Sequence, residues 1–189
     1  MSSLRPFQPS PNEPLFVGFA GHMGSGKTSA ASYLSSKYHF QYTRYSEVLQ
    51  QWRASGEEQD RLQRLGWDVM AGGLQPELNA RLIAALDRSR SAAIDGLRHQ
   101  IDFDSLSAIF GAGFGMVFLE AGEEQRYARL GQRFTTFAAF QSADSHPVEA
   151  HIDGLRSLAA LIISTDQSLE DLYRQLDSLM ANIGLRDRT

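Results

Sequence analysis

The chain has no cysteine, which removes disulfides, thiolate metal sites and cysteine nucleophiles from consideration. It has only two lysines, Lys27 and Lys37, against sixteen arginines. No apolar run approaches the roughly 18 residues of a membrane-spanning helix. The N-terminus shows neither a basic start nor a secretory apolar core. These absences predict a soluble, cytoplasmic protein with no membrane partner. The formal charge of −4 lacks the basic excess of broad nucleic-acid binding, so no nucleic-acid partner is expected. Any anionic ligand must be held by a local arginine cluster. Proline is sparse beyond the start: four of the six fall in the first 14 residues, beside three serines. Residues 1–14 therefore read as a disordered arm. With 189 residues and 42% hydrophobic content, residues 15–185 are expected to form a single domain around one core.

What is present is sharper. Residues 21–28 read Gly-His-Met-Gly-Ser-Gly-Lys-Thr, a complete G-x-x-x-x-G-K-[ST] phosphate-binding loop. It follows an apolar run, Leu15 to Ala20, and precedes an alanine-rich stretch, Ser29 to Lys37, so strand, loop and helix come in the required order. Gly21, Gly24 and Gly26 permit backbone angles that side chains forbid. The backbone of His22, Met23 and Ser25 completes a nest of N–H groups at a helix N-terminus, where an anion is favoured. Lys27 suits the β- and γ-phosphates and the Thr28 hydroxyl suits Mg²⁺. One of only two lysines sits where a compact ammonium, rather than a planar fork, is needed.

Short apolar runs alternate with helical stretches, which predicts an α/β fold with a parallel sheet. Strands are expected at Leu15–Ala20, Phe40–Tyr42, Ser91–Asp95, Met116–Glu120 and Ala159–Ser164. Residues 43–90 exceed what one crossover helix needs. They carry helical periodicity in three pieces, Ser46–Ala54, Asp60–Met70 and Glu77–Asp87, separated by Gly56 and the Gly72-Gly73 pair. Such an insert can cap the sheet's C-terminal edge. Ser168 and Asp171 have capping-box spacing at the start of the last helix.

Asp95, ending a buried strand in Ala-Ile-Asp-Gly-Leu-Arg, fits the carboxylate that orients Mg²⁺ and its waters; a turn role is the alternative. Gly96 keeps the following turn open, and Arg98 then lies at the ligand-binding edge of the sheet. Arg129 and Arg133 are spaced i,i+4 on one predicted helical face after Glu123 and Glu124. They read either as partners of a shared anion or as a solvated ion-paired surface. Arg44, Arg53, Arg61 and Arg64 form a second cationic supply in the insert. His39, His99, His146 and His151 show no metal spacing and suit surface or capping positions. Trp52 and Trp67 read as core, and Asp144 and Glu149 around His146-Pro147 as a turn.

Taken together, these residues resemble the nucleoside monophosphate kinase-like branch of phosphate-loop kinases, which includes adenylate kinase, dephospho-CoA kinase and small deoxynucleoside monophosphate kinases. The matching pieces are the loop, Tyr-Ser-Glu-Val-Leu at 45–49, Ile-Asp-Gly-Leu-Arg at 94–98, Arg-x-x-x-Arg at 129–133, Ala-Leu-Ile-Ile-Ser at 160–164 and Ser-Leu-Glu-Asp-Leu-Tyr at 168–173. The resemblance implies a three-layer P-loop NTPase fold with strand order 2-3-1-4-5. It also implies an acceptor-binding insert at about 43–90 and a short lid at about 126–146. ATP would lie on residues 21–28 with Thr165, Asp166 and Gln167 near its adenine, and Mg²⁺ on Thr28 and Asp95. A small phosphate-bearing acceptor would be met by Arg44, Ser46, Arg53 and Arg98, with Arg98 on its phosphate. Lys27, Arg98, Arg129 and Arg133 would surround the transferring phosphoryl group. The expected activity is ATP–Mg²⁺-dependent phosphoryl transfer to a nucleoside or deoxynucleoside monophosphate. A kinase for a non-nucleotide metabolite and a non-catalytic nucleotide-binding module are the alternatives. Adenylate kinases carry an arginine directly after the motif matched by residues 46–49; here it is Gln50. The lid, Phe134 to Ser145, is rich in phenylalanine rather than basic residues. The paired aspartates of dephospho-CoA kinase after strand 2 are missing, which disfavours that substrate.

Overall fold

Phe16–Ala20 has no polar face: all five residues are buried, as befits a strand covered on both sides. The computed structural model describes residues 13–53, 59–147, 149 and 151–184, without the side chains of residues 53 and 59–63. In chain order the elements are β1 (Phe16–Ala20), α1 (Lys27–Tyr38), β2 (Gln41–Arg44), α2 (Tyr45–Arg53), α3 (Gln59–Ala71), α4 (Gln75–Ala84) and β3 (Ala92–Leu97). Then follow α5 (Gln100–Phe110), β4 (Phe114–Glu120), α6 (Glu123–Leu130), α7 (Phe137–Asp144), α8 (Ile152–Leu155), β5 (Leu161–Ser164) and α9 (Leu169–Asn182). The strands form one sheet in the order β2-β3-β1-β4-β5, and every pairing is parallel. Most of the expected arm, residues 1–12, lies outside the described residues, as does Gly56. Among the described residues, no helix is long and apolar enough to cross a membrane.

Strand alternation sorts the core into two layers. Val17 and Phe19 point with Ala93, Val117, Leu119 and Ile163 toward α1 and α9, which contribute Ala30, Ala31, Leu34, Leu172, Leu176 and Met180. Phe16 and Ala20 point with Ile94, Met116 and Phe118 to the other face, covered by Phe103 and Leu106 of α5 and Ile152 and Leu155 of α8. The insert joins this second layer through Tyr45, Val48 and Leu49 of α2 and Leu78, Leu82 and Ile83 of α4. The insert is therefore built onto the core rather than hung beside it.

Two boundaries differ from the sequence reading in ways that shape the site. β3 does not end at Asp95 but runs to Leu97. Phe19 faces Asp95 while Ala20 faces Leu97, so a bulge falls at Gly96. Gly96 has φ of 95°, a conformation that glycine adopts at little cost. α6 ends at Leu130, so Arg133 is not on its helical face. Arg133 occupies the turn that follows, its N–H bonded to the Leu130 carbonyl at 2.7 Å.

The α1–α9 contact centres on Asp177. Tyr33 and Tyr38 donate hydroxyls to it, at 2.8 Å each, and Lys37 an ammonium at 3.0 Å, while Tyr33 stacks on Tyr173 with centroids 4.0 Å apart. Burial acts to raise the Asp177 carboxyl, but the hydrogen bonds from Tyr33, Lys37 and Tyr38 outweigh it and hold the group below its ordinary value. The stabilisation this gives is present above the unfolded carboxyl value of about 3.9 and is lost as pH falls through the lower folded value. Asp177→Asn is expected to cost on the order of 1 kcal/mol at neutral pH, given partial exposure. That corresponds to a melting shift of roughly 2–4 °C, and thermal melts against pH should show variant and parent converging in acid.

Candidate active site

β1 delivers the chain at Ala20 into the loop, and α1 takes it up at Lys27. Gly21, Gly24 and Gly26 have φ of 137°, 78° and 95°. A Cβ on Gly21 would lie 2.3 Å from the Leu119 carbonyl oxygen, so only glycine lets the loop sit this close to β4. Gly26 caps α1 without a side-chain hydrogen bond, and the first turn carries no acidic residue. The helix N–H groups and dipole are thus left for an external anion. Lys27 spans the loop mouth, donating to the carbonyls of Gly21 at 2.6 Å and His22 at 2.8 Å. Burial brings its ammonium down to about 7; Arg98, Arg126 and Arg44 push the same way, against Asp95.

Beside Lys27, Thr28 donates its hydroxyl to Asp95 Oδ2 at 2.8 Å. The same oxygen accepts the Tyr42 hydroxyl at 3.1 Å and lies 3.2 Å from Arg44 Nε. Asp95 is 3% exposed. A hydroxyl and a carboxylate oxygen, with no thiolate or imidazole near, form a hard donor pair that fits Mg²⁺, which completes its shell with water and phosphate oxygens. Among the described residues, no group of three or more His, Asp or Glu side chains is placed to hold a metal by itself.

The Gly96 bulge sends β3's last residues toward the insert. Arg98 lines the cavity there and is ion-paired through Nη1 with Glu149 Oε1; Glu149 is 1% exposed. Burial brings the Arg98 guanidinium down to about 10, with Asp95 opposing and the Arg133 charge adding. The turn holding Arg98 is itself pinned. Asp102 Oδ2 accepts the backbone N–H of Arg98 and of His99, both at 3.0 Å, and Asp102 Oδ1 accepts from Gln75 at 2.6 Å. Tyr45 donates to Asn79 at 2.8 Å, tying α2 to α4. Ser46, Leu49 and Leu78 complete this wall.

The lid is folded against the loop. Arg129 donates to the Gly24 carbonyl at 3.2 Å, to the Thr165 hydroxyl at 3.0 Å and to the Thr165 carbonyl. Arg126 is 6% exposed and grips Asp144 in a bidentate pair of 2.5 and 2.7 Å, lies over Phe140 and donates to the Met23 carbonyl at 3.3 Å. The lid phenylalanines explain themselves: Phe134 and Phe137 pack on Phe140, which is fully buried. Of the loop after β5, Thr165 and Gln167 line the cavity. Asp166 turns away from it to accept the Gly122 N–H at 2.8 Å.

One cavity of about 650 Å³ joins these parts, from Thr165, Gln167 and Arg129 past Lys27, Thr28 and Asp95 to Arg44, Ser46, Arg98 and Arg133. Of the other residues singled out in the sequence, Met23, Gly24 and Gly26 line it, whereas Gly21, His22 and Ser25 stand behind it. Arg53 ends α2, but its side chain and that of Arg61 lie outside the described residues, and Arg64 is exposed. His39 caps the end of α1 and His99 the start of α5. Trp52 packs against the core under Arg81, whereas Trp67 is 36% exposed and meets the His146 ring edge-on. Reasoning from sequence missed Glu149 and Asp144, read as turn residues, and Tyr42, Gln75, Asn79 and Asp102. All but Asp102 lie remote in sequence from their partners, so no local spacing marked them; Asp102 stands three residues after His99, the spacing of the capping box it forms. His22 likewise does more than lend its backbone, since its ring meets Asp153 at 2.8 Å.

No protein-family model matches the sequence, and no curated protein matches it. Solved structures share its fold. A gluconokinase from Sinorhizobium meliloti 1021 superposes with a TM-score of 0.61 at 15% identity, over 90% of this chain and 93% of that one. The APS kinase of Mycobacterium tuberculosis, in complex with AMPPNP and APS, gives 0.61 at 14% identity, over 90% and 99%. The shikimate kinase of Acinetobacter baumannii, in complex with shikimate, gives 0.59 at 15% identity, over 92% and 96%. The fold is that of P-loop kinases. At these identities the likeness is one of fold.

The two lid arginines nearest the loop should separate cleanly. Arg126→Ala leaves the Asp144 carboxylate without its partner and is expected to cost roughly 3 kcal/mol of stability by chemical denaturation. Adding Asp144→Asn should recover part of that loss. Arg129→Ala should leave stability within about 1 kcal/mol, because its partners are a neutral hydroxyl and carbonyls. Because Lys27 titrates near 7 in the free site, a polyphosphate that restores its charge should draw in close to one proton above pH about 8. Calorimetry of ATP binding in buffers of differing ionisation heat reads that uptake directly.

Proposed function

We propose that the protein is an ATP–Mg²⁺-dependent kinase whose acceptor is a small phosphorylated molecule, most simply a nucleoside or deoxynucleoside monophosphate. The observation that carries this reading is the single cavity into which Lys27 and the arginines Arg44, Arg98, Arg129 and Arg133 all open. The cations lie at both ends of the cavity, so that phosphate can be met on the acceptor as well as on the triphosphate. The triphosphate fits the loop side, between Lys27, Arg129 and the Thr165–Gln167 turn. The acceptor phosphate fits the insert side, between Arg44, Arg98 and Arg133.

In the reaction an oxygen of the acceptor phosphate attacks the γ-phosphorus in line. The bond from that phosphorus to the bridging oxygen of the leaving diphosphate breaks as the new P–O bond forms. A phosphate oxygen is already ionised, so no side chain has to take a proton from it. Thr28 and Asp95 would hold the metal, whose chemistry is to offset charge on the phosphate oxygens. Lys27, Arg129 and Arg133 offset the charge that spreads over the equatorial oxygens, an interaction stronger in the transition state than in the ground state. The insert and the folded lid keep water from competing as the nucleophile.

A kinase for a non-nucleotide metabolite is the second reading. It is supported by the acceptors named for two structures of the same fold, APS and shikimate. Retention of Lys27, Thr28 and Asp95 in one connected geometry weighs against a module that only binds.

An ADP-release assay over the common nucleoside monophosphates, with a no-acceptor control, tests the reading. Turnover with one of them is the expected result; ATP binding with no turnover on any points to another acceptor. Lys27→Ala should abolish turnover in a folded protein. Arg129→Ala and Arg133→Ala should each lower kcat by roughly 10²–10⁴ with little change in melting temperature. Wild-type kcat in both would remove the lid from the chemistry.

A further inference from the structure

Three carboxylates border the acceptor half of the cavity, and two of them already hold several protein partners. Asp102 spends one oxygen on Gln75 and the other on the N–H groups of Arg98 and His99. Asp95 carries Thr28, Tyr42 and Arg44. Glu149 differs. It is 1% exposed and lines the cavity. Its Oε1 is ion-paired with Arg98 Nη1, and neither carboxylate oxygen has a hydrogen-bond partner among the described residues, which leaves Oε2 with no partner of either kind. A buried carboxylate oxygen with no donor is unfavourable, and phosphoryl transfer as derived above has no use for it.

The backbone at Glu149 is also held in place. The Glu149 N–H bonds to the His146 carbonyl at 2.7 Å and its own carbonyl accepts from Ile152 at 3.1 Å. Ile152 and Leu155 of α8 anchor that turn in the core at 1% and 0% exposure. The backbone that carries this carboxylate is thus tied to the core beside the arginine assigned to the acceptor phosphate.

From this we infer that Glu149 is a specificity-determining residue: one carboxylate oxygen fixes Arg98, and the other receives a hydroxyl or amino donor from the phosphorylated acceptor. The inference rests on the proposed kinase reading and narrows its substrate class. The acceptor carries a hydrogen-bond donor close to its phosphate, as a sugar hydroxyl or a base amino group would provide. An acceptor with a second acidic group there is rejected by like charge, and one with only apolar groups leaves Oε2 unsatisfied.

The test is a cycle between protein and ligand, read as binding by calorimetry with ATP's non-hydrolysable analogue present. The best-bound common nucleoside monophosphate is compared with its 2′-deoxy form, its 3′-deoxy form and the form lacking the exocyclic amine. One of these deletions is expected to weaken binding to the wild type about 10- to 100-fold. Which deletion does so separates a sugar donor from a base donor. Glu149→Met removes both oxygens and should bring parent and analogue within about threefold of each other. Glu149→Gln keeps an acceptor without its charge and should fall between. Binding of the ATP analogue and a cooperative melt establish that each variant is folded. If the wild type binds all forms alike, or the discrimination survives in Glu149→Met, the role of Glu149 is overturned while the kinase reading stands. If no nucleoside monophosphate binds while the ATP analogue does, the nucleotide acceptor and this inference fall together.

Discussion

Repulsion among cations governs the architecture of this site. Lys27, Arg44, Arg98, Arg129 and Arg133 share one cavity, and like charges gathered there repel unless compensated. Two carboxylates supply the compensation: Asp95 against Arg44, and Glu149 against Arg98. Burial, with the neighbouring arginines adding to it, makes the lysine shed its proton more readily than usual, an option the guanidinium groups lack at neutral pH. The site is thus a cluster of cations held together by internal anions.

That constraint explains features which otherwise look unrelated. The sheet's edge carries a bulge at Gly96 because Asp95 must face the phosphate loop while Arg98, three residues on, faces the insert. A regular strand would not send both toward the same cavity from their respective positions. The lid is apolar because it does not supply most of the charge. Its aromatic cluster around Phe140 holds Arg126 against Asp144, and that pair presses the lid onto the Met23 carbonyl. Arg129 then reaches the loop and the turn after β5 from a fixed base. Stability and charge placement are divided between neighbouring arginines on the same helix.

The insert follows the same logic. Its helices bury Leu78, Leu82 and Ile83 in the core layer shared with α5 and present Tyr45, Ser46 and Gln75 to the cavity. Gln75 and Asn79 are polar and buried, and both are bonded into partners on other elements. Such networks fix one arrangement of the helices, since any shift strands a polar group. This wall of the cavity is therefore stiff.

The sequence alone determined the elements whose signals are local. An eight-residue loop motif announces itself because phosphate binding needs those residues consecutively. Apolar runs announce strands, and the last helix announces its start through Ser168 and Asp171, whose capping box forms. The places of Asp95 and Arg98 were legible because both lie at the C-terminal end of an apolar run, the strand that pairs with β1. The tertiary structure alone decided how the charges pair. Arg98 meets Glu149 across 51 positions and Arg126 meets Asp144 across 18, and nothing in the intervening sequence encodes those distances. It also decided that Arg133 leaves its helix, because the helix ends at Leu130 with Gly131 as its cap. Hydrogen bonding within a motif is a matter of spacing along the chain, whereas ion pairing in a cavity is a matter of which elements the core brings together, and only folding settles that.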